Sequence, residues 1–120
     1  MNPELVVQRL FEELEAEHFD FTITLADRED ERRWLQLRGN MINLAHPYTD
    51  PPEAILPSGL FGTVSWDVVS WEPGSYATID WGTDSTGRDE RLALTELLTR
   101  LLEHHLALPA DSERWVVEEG

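Results

Sequence analysis

No cysteine and no lysine occur among the 120 residues, and no apolar stretch runs beyond a few positions. Without cysteine there is no disulfide framework, no thiolate nucleophile and no zinc-ribbon type of site. Without lysine there is no Schiff-base amine and no phosphate-loop ammonium; all nine basic residues are arginine, a usage that fits a high-GC coding background or a halophilic habit. A bilayer crossing needs roughly 20 apolar residues in a row, and the opening MNPELVVQRL lacks both a basic start and a hydrophobic signal core. The expectation is a soluble, cytoplasmic protein of one domain, residues 1-120, without membrane contact.

What is abundant is acid. Against nine arginines stand 24 Asp and Glu, for a net charge of -15. Such a surface repels nucleic acid backbones and anionic lipids, so direct nucleic acid binding is not expected. The charge is spread evenly: residues 1-20, 21-83 and 84-120 each carry -5. That distribution describes a solvating surface, not one dedicated acidic tail.

The apolar pattern changes period along the chain. Val7, Leu10, Phe11 and Leu14 recur at helical spacing, and Asn2-Pro3 supplies a cap and a first-turn proline, which predicts a helix from Pro3 to about Glu17. Phe19, Phe21, Ile23 and Leu25 then alternate with polar residues as a half-buried strand does. The run from Asp27 to Arg33 holds no apolar residue and is placed in an exposed hairpin connection. Strands are read at Trp34 to Arg38 and Met41 to His46 around a Gly39-Asn40 turn. Pro47, Pro51, Pro52 and Pro57 follow, allowing only a short turn around Glu53 to Leu56. Residues 62-71 alternate as a strand, with a short helix as the alternative, and Tyr76 to Trp81 is its partner across the Glu72-Pro73-Gly74-Ser75 turn. Leucines 94, 97, 98, 101 and 102 define a helix from Asp89, as its cap, to Ala107, and Trp115-Val116-Val117 is a final short strand. Strands grouped between two helices predict an α+β domain: an antiparallel sheet of about five strands flanked by the N-terminal and C-terminal helices on one face.

Catalytic signatures are missing. His104 and His105 are neighbours and point about 100° apart on a helix, so they do not share an ion, and no HExxH occurs. The four histidines, His18, His46, His104 and His105, are accordingly read as polar residues without a metal, the last two near the solvent edge of the last helix. The oxygen-rich stretch Asp80 to Asp89 departs from the twelve-residue calcium loop and reads as a connection. No G-x-S-x-G elbow is present, and 24 carboxylates bring pairs together by chance, so no acid-base pair stands out. Neither enzyme activity nor a cofactor is expected. A hydrolase using a paired-carboxylate site is the third reading.

Five tryptophans are many for this length. Strand-borne Trp serves either as core and cross-strand packing or as a rigid contact for another chain. Trp34, Trp66, Trp71 and Trp81 are the candidate binding residues, and an acidic rim around an aromatic sheet face suits a basic or amphipathic peptide.

The first helix, the hairpin of FTITLAD and RRWLQLRG, the strand MINLAHP with its proline loop, the W-E-P turn at Trp71 to Pro73, YATIDWG, the helix LALTELLTRLLEHHLALP and the terminal RWVVEE together resemble the type III secretion chaperone-like superfamily, particularly its actinobacterial Tir-chaperone-like branch. The resemblance spans most of the chain. It implies a small α+β fold, a homodimer, and a chaperone role in which the protein binds another polypeptide and catalyses nothing. Residues 58-71 supply a helix in a strict secretion chaperone and read as a strand here. The leading functional expectation is a non-enzymatic module that sequesters a protein segment. The other readings are an acidic nucleic-acid mimic that inhibits a DNA-binding protein, or an immunity-type inhibitor.

Overall fold

The computed structural model describes residues 1-55, 67-81 and 87-120. In order, the elements are α1 (Pro3–Glu15), β1 (Thr22–Asp27), β2 (Asp30–Arg38), β3 (Met41–His46), α2 (Pro52–Ile55), β4 (Asp67–Glu72), β5 (Ser75–Asp80), α3 (Arg88–Arg100), a π-helical turn (Leu101–His105) and β6 (Trp115–Glu119). The sheet is antiparallel and has six strands in the order β4-β5-β3-β2-β1-β6. The α+β expectation holds: the sheet of about five strands has six, the sixth being the short terminal strand read at Trp115 to Val117.

Helix α1 starts as its sequence dictates. The Asn2 side chain accepts the Glu4 N–H at 2.9 Å and Pro3 fills the first turn, where its missing N–H costs nothing. Val6, Val7, Leu10 and Phe11 are buried, and the helix ends at Glu15, two residues before the expected end. Helix α3 opens at Gly87 instead of Asp89. Asp89 and Glu90 sit in its first turn, where carboxylates complement the helix dipole. The helical run then widens: Leu106 N–H bonds back to the Leu101 carbonyl, five residues away, at 3.0 Å. This π-turn buries Leu101, Leu102 and His105 together.

Helices α1 and α3 pack on each other and on one face of the sheet. Two cross-strand rows meet them: Ile79-Ile42-Leu37-Ile23 and Ala77-Leu44-Leu35-Leu25, all 0–1% exposed. Full burial of each large aliphatic side chain is worth roughly 1.5–3 kcal/mol, so this double row, more than strand propensity, fixes the register.

The connections show where the chain departs from expectation. Between β1 and β2 only Arg28 and Glu29 form the turn; Asp27 and Asp30 to Arg33 belong to the strands. Periodicity is silent there because the inward side chain, Asp27, is charged. At the next turn Gly39 takes φ 57° while Asn40 does not turn positive, the pattern of a two-residue II′ hairpin. The predicted strand at 62-71 is seen as β4 from Asp67; residues 62-66 lie outside the described residues.

Candidate functional site

The opposite face of the sheet carries no packing from α1 or α3, and the strand registers array it in rows. Glu118, Thr24, Gln36, Asn43, Thr78 and Ser70 lie side by side across all six strands. Every member is polar and none is basic. Gln36 Nε2 donates to Thr24 Oγ1 at 3.2 Å, and Thr78 Oγ1 donates to Asn43 Oδ1 at 2.6 Å. Such cross-strand pairs tie neighbouring strands together on this face.

The next row is aromatic. Val116, Ala26 and Trp34 are consecutive in it, as are Ala45, Tyr76 and Glu72, and one further step of the β2–β3 register sets Trp34 beside Ala45. Small Ala26 and Ala45 flank the half-buried indole, and Ala45 is 4% exposed. Tyr76 hydroxyl lies 3.0 Å from Ser70 Oγ, tying the aromatic row to the polar one. Acids lie at the margins, Glu72 and Glu118 at the outer strands and Asp67 and Asp80 at one end, where Arg38 shares their row.

The four tryptophans named from the sequence separate in space. Trp34 is on this outer face. Trp71 pairs with Ala77 and so points to the helix side, half-buried, with its ring edge-on to His46 at 5.7 Å between centroids. Trp81 is 4% exposed and stacks on Phe11 with centroids 6.1 Å apart and planes inclined by 12°, which makes it a core residue. Trp66 lies outside the described residues. The fifth, Trp115, is also buried, its Nε1 donating to the Pro109 carbonyl at 3.0 Å.

Two charged or titratable features escaped the sequence reading. Asp27 has a side chain with no solvent exposure. Arg114 Nε donates to its Oδ1 at 3.1 Å and Arg114 Nη2 to its Oδ2, the Glu29 N–H donates to Oδ1 at 2.9 Å, and Arg33 approaches at 3.5 Å. Hydrogen bonding from Arg114, above all, holds this carboxylate below its ordinary pKa. Every Asp27 oxygen is thus engaged, and the cluster fastens β6 to the β1–β2 turn. The second feature is that His46 and His105 are both buried and adjoin one another; the reading of His105 as a polar residue near the solvent edge of the last helix is overturned.

Among the described residues no three His, Asp or Glu side chains gather in the way a metal ion requires. The oxygen-rich stretch Asp80 to Asp89, read as a connection, is described only at its ends. A groove of about 200 Å³ lies between α1 and α3, lined by Glu4, Val7, Gln8, Arg88, Arg91, Leu92 and Thr95. No described helix is long and apolar enough to cross a membrane. Comparison with protein families, with curated proteins and with solved structures gave no match, so the functional reading rests on the chemistry of these residues.

Proposed function

We propose that this protein is a non-enzymatic, chaperone-like module that holds a segment of another polypeptide against the outer face of its sheet. The observation that carries the reading is the placement of Trp34: a half-buried indole between alanines, beside a row of amides and hydroxyls, on the face that α1 and α3 leave free. A rigid aromatic with polar neighbours anchors an apolar side chain while the amides bond the main chain around it. The acidic margin and the net charge of -15 select a partner segment that mixes apolar and basic residues.

The test is copurification from lysate of the source organism, washed in parallel at low salt and at about 0.5 M, where the Debye length is roughly 4 Å. A polypeptide that survives the high-salt wash with wild-type protein and is lost with Trp34→Ala supports apolar anchoring at this face. Basic partners that all leave with salt, equally for both proteins, favour the acidic-mimic reading instead.

A further inference from the structure

His46, at the end of β3, and His105, in the π-turn, are 0% and 1% exposed in an otherwise apolar layer. Their rings stack with centroids 5.2 Å apart, and His46 Nδ1 lies 3.2 Å from His105 Nε2. The hydrogen-bond inventory places the protons. The Asp50 carbonyl, 2.7 Å from His46 Nε2, only accepts, so that nitrogen carries hydrogen. In the neutral pair His46 Nδ1 is therefore bare and His105 Nε2 donates to it. His105 Nδ1 is then the other nitrogen without a hydrogen, and unlike His46 Nδ1 it has no hydrogen-bond partner among the described residues.

The surroundings offer no carboxylate to balance extra charge among the described residues. Tyr48 donates its hydroxyl to the His105 carbonyl at 2.7 Å, and its ring meets both imidazoles edge-on. From β2, Arg33 reaches the adjacent Leu106 carbonyl at 2.7 Å and is itself paired with Asp27 and Asp30. On the π-turn, Glu103 accepts the Ala110 N–H at 3.2 Å and His104 is exposed. Asp50 contributes its main chain. One proton added to the pair still leaves one hydrogen to be shared between the facing nitrogens. A second puts a hydrogen on both of them, at 3.2 Å, and places two positive charges in one apolar layer.

We infer that His46 and His105 form a proton-operated latch: the pair fastens the connection after β3 to the end of α3 while it holds no more than one extra proton, and double protonation releases it. Burial, and then the neighbouring His46, push His105 down to about 4, against the opposing pull of the Ala45 carbonyl. Release reaches further than the two rings. The Tyr48 carbonyl accepts the Gly74 N–H at 2.9 Å, joining the same connection to the β4–β5 turn, and Trp71 packs edge-on against His46. Opening the latch therefore frees an aromatic side chain on the helix side of the sheet.

The test follows imidazole 15N signals and 5-fluorotryptophan 19F signals of the whole protein from pH 7 to 3.5, with Trp71→Phe assigning the Trp71 resonance. The expected result is that the Trp71 resonance moves only with the protonation that puts a hydrogen on both facing nitrogens, while far-ultraviolet circular dichroism is unchanged. His105→Gln keeps an N–H donor near the Nε2 position and takes no proton, and it is expected to hold the Trp71 resonance fixed over the whole range. Both rings protonating together above pH 6 with their contact intact overturns the latch. So does a Trp71 shift that coincides with loss of secondary structure, or one that occurs at the wild-type pH in folded His105→Gln. Should that variant not fold, the wild-type ring titration decides alone.

Discussion

Arg114 grips both carboxylate oxygens of Asp27 from 87 positions further along the chain. The last strand is thereby tied to the first, at the point where the β1–β2 register shifts. Asp27→Ala leaves Arg114 without its buried partner and should destabilise the fold by about 3 kcal/mol in urea melts. The ionised carboxylate is the bonded form, so its stabilisation is present above its ordinary pKa and is lost as pH falls below about 4. A variant that matches wild type at pH 7 would show the pair to be inert.

Trp81 and Trp34 should respond to the same substitution by very different amounts. Trp81 is buried against Phe11, and Trp81→Ala should cost about 3–5 kcal/mol. Trp34→Ala removes a half-buried side chain from the face opposite α1 and α3, with an expected cost of about 1 kcal/mol. Thermal melts of the two variants check the assignment of one to the core and the other to the surface.

The buried histidine predicts a pH window of its own. His105 is lowered from 6.5 to about 4, so the unfolded chain takes the proton first. The stabilisation is complete above about pH 6.5, declines as pH falls, and levels off below about 4, a change of up to about 3 kcal/mol. Partial neutralisation of the -15 charge acts in the opposite direction over the same range. The quantity to measure is therefore the difference in unfolding free energy between wild type and His105→Gln from pH 7.5 to 4. It should shrink as pH falls; a constant difference would contradict the shift.

Gly39 adopts φ 57° in the β2–β3 turn, and a Cβ there would meet the Phe19 carbonyl at an ordinary 3.8 Å. Space is available, so backbone conformation alone should set the cost of Gly39→Ala, about 1 kcal/mol. A neutral or stabilising result in chemical denaturation would show that the turn relaxes into another type.

Much of this architecture was legible from hydrophobic period alone. The alternation at Ile23 and Leu25, the Asn2-Pro3 cap and the leucines of α3 each gave the observed element. What period could not show was charge turned inward. Asp27 and Arg33 looked like loop residues because a carboxylate paired with an arginine leaves no apolar trace. His105 follows Leu98 by seven residues and Leu101 by four, so the helical repeat itself puts it on the leucine face; only its polar identity made it read as a solvent-edge residue. Among the tryptophans, being on a strand did not by itself say which face each would take. Trp71 and Trp34 differ only in their parity relative to the bulge in β4 and the buried rows of the sheet. That parity is the signal: counting from inward Leu35 puts Trp34 outward.

The most direct measurement of the proposed function is selection of random twelve-residue peptides displayed on phage against the wild-type protein, followed by Kd determination at 0.1 and 0.5 M salt with wild type and folded Trp34→Ala. The account predicts enriched sequences that combine apolar and basic residues, retained affinity at high salt, and at least a tenfold weaker Kd for the variant. Equal affinity in both proteins, or no enriched peptide, would contradict a polypeptide site on the outer face of the sheet.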